Sequence, residues 1–190
     1  MRSKIGVFLG VVTLAVVAVI ASAGAASAST GFTAQAEAAG LSAGQADALQ
    51  AKVDAYLAKL NGRGTQVSPN QIDLGGAVLN VTVPGETRPR QLGDLGVAGV
   101  AQCNGGARYG WFCAYQYDYR AGDNIGMYSC DNYFIPWSGP LGSWENNQTP
   151  GTVPRMHYVD GSYGPLPAAY SIRLYGVWWD GVHSITNCLN

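Results

Sequence analysis

The sequence predicts a mainly β protein with a small helix-plus-hairpin segment ahead of its β-rich body. Three observations carry this. Composition breaks near residue 100: every lysine lies at or before Lys59, whereas all five tryptophans and ten of the eleven tyrosines follow Val100. Beyond the break, short apolar runs rich in Tyr and Trp are interrupted by Gly, Pro, Asn and Asp, a composition that suits strands and turns and offers no amphipathic helix. The second half also repeats itself. "CAYQYDYRAG" from Cys113 lies against "MHYVDGSYGP" from Met156, aligning Tyr115 with Tyr158, and "GSWENNQ" lies against "HSITNCL", aligning Ser143 with Ser184. Two units of about forty residues result.

The chain opens with Arg2 and Lys4, an uninterrupted run from Ile5 to Ile20 and a small-residue stretch containing Ala-Ser-Ala. A charged start, an apolar middle and an Ala-x-Ala ending read as a signal peptide over 1–28, cleaved after Ala28. A retained anchor is the competing reading, because the run approaches spanning length; the small-residue ending and the lack of a later long apolar run favour export. The expected product is a secreted, extracellular protein that leaves the membrane once the signal is cut. About 160 residues then remain, enough for one domain or a small domain with an appendage. The net charge of -1 and the charged fraction of 12% supply no basic surplus to neutralise phosphates, so nucleic acid is excluded as a partner.

Residues 29–83 form the first segment. Leu49, Val53, Tyr56, Leu57 and Leu60 recur at helical spacing, Ser42 with Gln45 three residues on makes a capping box, and Asn61-Gly62 marks a stop, predicting a helix from about Ser42 to Leu60. Ile72 and Leu74 before Gly75-Gly76 answer Val78 to Val83 after it, predicting a hairpin. One helix and one hairpin bury too little to stand alone. The segment is expected either to pack on the second module or to be a pro-region that is removed. Residues 84–102, with Pro84, Pro89 and four glycines, read as a linker to a β domain over 103–190.

Cys103, Cys113, Cys130 and Cys188 all lie in that domain, and export places them where disulfides persist. Four cysteines admit three pairings, among which sequence alone does not choose. The favoured expectation joins Cys103 to Cys113, a short loop worth roughly 3 kcal/mol on the loop-entropy model, and Cys130 to Cys188. Zinc is disfavoured: no pair has Cys-x-x-Cys spacing and neither His157 nor His183 has a second ligand nearby.

At these residues the chain resembles the βγ-crystallin Greek-key fold, and more specifically the secreted actinobacterial proteins grouped with the streptomycete metalloproteinase inhibitors, a peptidase-inhibitor family. The family motif sets an aromatic, a second aromatic five positions on and a glycine two beyond that, with a later serine folding back over the corner. Tyr115, Tyr119 and Gly122 with Ser143 carry it in the first unit, although Tyr119 comes one residue early; Tyr158 and Tyr163 with Ser184 carry it in the second, where Pro165 stands in the glycine's place. The resemblance implies a double Greek-key sandwich over about Cys103 to Asn190. It also implies that Tyr115 and Phe112 are core and that Tyr117 or Tyr119 covers the hairpin corner. The family's calcium loops begin with paired Asn or Asp, and of those positions here only Asp180 survives, next to Trp179; no metal or cofactor is expected.

The chemistry of catalysis is missing from the sequence. There is no Gly-x-Ser-x-Gly elbow, His-Glu-x-x-His motif or phosphate-cradling loop. Asp118, Asp123, Asp131, Glu145, Asp160 and Asp180 are scattered, and read as solvated loop acids rather than a glycosidase pair. Two binding readings follow. The resemblance implies an inhibitor of an extracellular peptidase, and "CNGGARYGWFC" supplies the loop: a Cys103–Cys113 tether with Arg108 and Tyr109 at its crest. Gly105 and Gly106 predict a pliant loop, and the bland alternative is a disulfide that only pins a strand. The second reading is a cell-wall or carbohydrate-binding module using exposed rings among Trp137, Trp178 and Trp179.

Overall fold

The computed structural model describes residues 23–92 and 100–189. The expected signal peptide lies outside the described residues up to position 22, and the expected linker lies outside them over 93–99. Helix α1 (Ala23–Ala38) ends where Gly40, at φ 91°, lets the Leu41 N–H reach back to the Ala36 carbonyl and its own N–H to that of Glu37. Helix α2 (Ala43–Leu60) starts on the anticipated cap. The Ser42 hydroxyl accepts from the Gln45 N–H while the Gln45 side chain accepts from the Ser42 N–H, and Asn61 closes the helix at φ 49°. Its stripe of Leu49, Val53, Tyr56 and Leu60 is buried, as the period requires.

Strands β1 (Thr65–Ser68), β2 (Gln71–Asp73) and β3 (Ala77–Asn80) form a meander, with Ile72 opposite Leu79 across the Gly75-Gly76 turn. Helix α3 (Val100–Cys103) leads into β4 (Trp111–Tyr115), a single 3-10 turn over Asp118–Arg120, and β5 (Asn124–Met127). There follow β6 (Asn132–Phe134), β7 (Gly142–Asn147), β8 (Arg155–Tyr158), β9 (Tyr163–Pro165), β10 (Ser171–Val177) and β11 (Val182–Thr186).

These strands make two antiparallel sheets, of orders β1-β2-β3-β5-β4-β7-β10 and β6-β11-β8-β9. The mainly β class is the one expected. Each of the two repeated units, β4 to β7 and β8 to β11, keeps three strands in one sheet and lends its third to the other: β6 pairs with β11, and β10 pairs with β7. The N-terminal meander is built into the same larger sheet, since β3 pairs with β5 and sets Leu79 opposite Ile125. An amide ladder runs across that seam, Gln71 donating to Asn80 and Asn80 to Asn124, which satisfies polar groups that are buried on all three strands.

One main core joins α2 to both sheets: Leu49 and Val53 from α2, Leu79, Phe112, Ile125, Trp144, Ile185 and Trp179 belong to a single buried cluster. Full burial of each aliphatic side chain contributes about 1.5–3 kcal/mol. Trp179 is central. Its indole N–H donates to the Tyr115 carbonyl at 2.9 Å, and the ring lies against Gly142, where a Cβ would come within 1.9 Å of the indole nitrogen. Both disulfides have the favoured pairing; Cys130–Cys188 ties the chain after β11 to the entry of β6. Among the described residues no helix is long and apolar enough to cross a membrane.

Candidate functional site: a disulfide-tethered loop on the outer face of the large sheet

The Cys103–Cys113 loop sits where strand alternation puts it. In β4, Phe112 and Ala114 enter the main core, so Trp111, Cys113 and Tyr115 turn to the opposite face. There Cys103, Ala107, Cys113 and Tyr115 form a second small buried cluster under the loop, with Trp111 packed against it. In β7 the same alternation sends Trp144 to the core and presents Ser143, Glu145 and Asn147 to the loop side.

Each of those three residues holds something. Ser143 bridges the corner after β4: its hydroxyl donates to the Tyr117 carbonyl at 2.8 Å and accepts the Arg120 N–H at 3.0 Å. Glu145, almost fully buried, takes Arg120 Nε at 2.9 Å on one oxygen and the Tyr170 hydroxyl at 2.8 Å on the other. Its carboxylate holds the Tyr170 phenol above the ordinary range, with burial adding to the effect. Asn147 donates from its side chain to the Ala107 carbonyl at 2.8 Å and accepts the Gly110 N–H at 2.7 Å on its own carbonyl.

The loop is therefore not the pliant segment that Gly105 and Gly106 predict. Arg108 N–H reaches the Gln102 carbonyl, Trp111 N–H reaches the Arg108 carbonyl, and the buried Tyr115 hydroxyl donates to the Cys103 carbonyl at 2.9 Å. The glycines serve geometry instead. Gly106, at φ 140°, rests against Glu145, where a Cβ would stand 3.1 Å from the carboxylate. Arg108 and Tyr109 project from this clamped base, and Tyr109 is 69% exposed. The loop can present two side chains to a partner at small entropic cost, because its backbone is already ordered.

The motif residues fall as follows. Phe112 and Tyr115 are fully buried. Burial raises the Tyr115 phenol well above the ordinary range, with a smaller push from Glu145. Tyr117 covers the corner: its ring lies over Gly122, which takes φ 75°. Tyr119, itself at φ 55°, lies instead beside Tyr175 with ring centroids 6.1 Å apart. In the second unit Tyr158 is half-buried, Tyr163 is exposed under the Arg155 guanidinium at 4.4 Å, and Ser184 is buried on β11 opposite His157.

Other candidates are engaged in local contacts. The His157 ring nitrogen pairs with the Thr186 hydroxyl, and His183 packs edge-on against Phe134. Asp118 accepts the Gly176 N–H, Asp160 the Ser162 N–H and Asp180 the Gly139 N–H, while Asp123 and Glu145 are buried, not solvated as the sequence reading has them. Of the three tryptophans named for sugar binding, only Trp178 is exposed; Trp137 and Trp179 pack edge to face inside the core, because a domain of this size fills its interior with large rings.

Sequence reasoning overlooked Asn147, Arg120 and Tyr170 and read the buried Glu145 as a solvated loop acid. The repeat that aligns Ser143 with Ser184 held a usable signal: Glu145 and Asn147 lie two and four residues after Ser143, which in the strand β7 puts them on the face of the serine that closes the corner. Compared with protein-family models, curated proteins and solved structures, the chain matches none.

Proposed function

We propose that this is a secreted, non-catalytic inhibitor of an extracellular peptidase that acts through the Cys103–Cys113 loop, with Arg108 and Tyr109 entering the target's cleft. The observation that carries the reading is the combination of an exposed crest with a base held by a disulfide, by Asn147 and by the Arg120–Glu145 pair. An inhibitor must resist relaxation after it binds, and a clamped backbone meets that need. A metalloproteinase is the target class that the family resemblance implies. The double Greek-key, crystallin-like description of the β domain belongs to the same proposal. It is supported by the exchange of the third strand between units, by the Tyr117 ring over Gly122 and by the Ser143 hydroxyl folded over that corner.

The test is residual activity of a thermolysin-type metalloproteinase, with a serine proteinase as control, against increasing protein. Stoichiometric inhibition that Tyr109→Gly abolishes without lowering thermal stability supports the proposal. Absence of inhibition of both enzymes, or full inhibition by the Tyr109→Gly variant, overturns it.

A further inference from the structure

A second concave site lies on the other side of the large sheet. Trp144 lines it, whereas its neighbour Glu145 faces the loop, so the two sites occupy opposite faces of β7. The groove measures about 560 Å³, within the range of roughly 300–1,000 Å³ usual for small-molecule sites. Buried Trp144, Met156 and Val177 supply its apolar floor, and exposed Arg173, Trp178 and Asp180 stand at its rim.

The rim residues have a chemistry in common. Trp178 is 66% exposed although its neighbour Trp179 is fully buried, so a flat indole face is offered to solvent at the mouth of a cleft. Arg173 is held by its own strand: Nε donates to the Tyr175 carbonyl at 3.3 Å and Nη2 to the Gly176 carbonyl at 2.9 Å. Those bonds use two of a guanidinium's five donors and leave the rest for a ligand. Asp180 spends one oxygen on the Gly139 N–H at 2.9 Å and keeps the other as an acceptor. One fixed cation and one fixed anion cancel, so the groove gives no net preference to a charged ligand. What it does match is a neutral molecule with an apolar flat face and adjacent hydroxyls that both donate and accept.

A pyranose ring has that form: its axial C–H face packs on an aromatic plane, while its hydroxyls bond to carboxylate and guanidinium at the edge. We propose that this groove binds a neutral pyranose glycan, with one sugar ring stacked on Trp178 and its hydroxyls held by Arg173 and Asp180. The inference is independent of peptidase inhibition, since it uses the opposite face and other residues.

The test uses the mature full-length protein and four probes: insoluble cellulose and chitin in retention assays, and cellotetraose and chitotetraose in calorimetric titrations. A proline-rich decapeptide is the control, because an aromatic-rimmed groove can also accept an extended polyproline segment. Saturable binding of a sugar probe, weakened about tenfold or more by Trp178→Ala and by Asp180→Ala, supports the proposal. It should come with an unchanged melting temperature for Trp178→Ala and with full binding by Tyr109→Gly. Binding of none of the sugar probes, equal binding by Trp178→Ala, or binding of the peptide alone overturns it. The inhibition assay on the same Trp178→Ala sample separates the two readings, because loss of sugar binding leaves the Cys103–Cys113 loop intact.

Discussion

The ammonium of Lys52 lies 2.7 Å from the carboxylate of Asp123, a fully buried group 71 positions further along the chain. The same carboxylate accepts the Tyr56 hydroxyl and, at 2.7 Å, the Thr82 N–H. Two residues of α2 and the end of the meander thus converge on one acid at the entrance to β5. The acid is kept in a region of low dielectric by three donors at once, which is what a buried charge requires.

Asp123→Ala is expected to destabilise the protein by about 2–4 kcal/mol. The figure lies below the full cost of a broken buried pair because Lys52 is one-third exposed and can turn to water, whereas the Tyr56 hydroxyl and the Thr82 N–H cannot. Urea unfolding measures it, and a loss under 1 kcal/mol would show that the latch is decorative. Deletion of 29–83 is the larger form of the same experiment. It bares the edge of β5 and the core surface under α2, so the remainder is expected to be insoluble or unfolded. A soluble, cooperatively folding 84–190 fragment would instead favour a removable pro-region.

Gly142→Ala tests the close approach of Trp179. The new methyl has to displace an indole that is completely buried and hydrogen-bonded to the Tyr115 carbonyl. The expected loss is about 3 kcal/mol, at the upper end for overpacking, because neither the ring nor the β7 backbone has room to move. The melting temperature should fall and tryptophan fluorescence should shift to the red; a variant as stable as the parent would contradict the packing described.

Ser143 and Ser184 occupy matched positions in the two units, yet only Ser143 bridges its corner through its hydroxyl, to Tyr117 and Arg120. Ser143→Ala leaves a carbonyl and an N–H without that partner and is expected to cost about 1–3 kcal/mol, whereas Ser184→Ala should cost less than about 1 kcal/mol. Denaturant midpoints at constant slope give the comparison. Equal losses would mean that the serines act through packing alone.

Three buried phenols predict how the fold responds to alkali. Burial raises Tyr56 well above the ordinary range, with Asp123's charge adding to it; burial likewise raises Tyr115, and it raises Tyr133 to about 12. The unfolded chain releases these protons near pH 10. Above that value the unfolded state binds fewer protons than the folded one, so stability falls as pH rises. It is therefore expected to be unaffected by these groups below about pH 10 and to decline from there through pH 12 and beyond. Urea midpoints between pH 8 and 12 check the sign, and a midpoint that rises in alkali would refute it.

The legible parts of this molecule are those written locally. Ser42 and Gln45 announce the start of α2, Asn61 its end, and the spacing of Leu49, Val53, Tyr56 and Leu60 its buried face. Gly75-Gly76 announces a hairpin, and the repeat around Tyr115 and Ser143 marks the first corner. Strand β1 and helix α1 are not legible, since Thr65–Ser68 is too short to show a period and α1 runs across the boundary after Ala28 at which the sequence reads a signal peptide as ending.

By itself, the sequence determined the mainly β class, the helix with its caps and the hairpin, while the structure parted Phe112 and Tyr115, both expected in the core, onto opposite faces of β4. The class, the helix and the hairpin each depend on residues within a few positions of one another, through backbone geometry and solvent contrast. Only the tertiary structure decided that β3 pairs with β5, that Asp123 gathers Lys52 and Tyr56, that Glu145 seats the Cys103–Cys113 loop, and that Trp178 rather than Trp137 or Trp179 reaches solvent. Those are choices among partners far apart in the chain, made by total core burial and by the need to satisfy every buried polar group, and no local pattern encodes them.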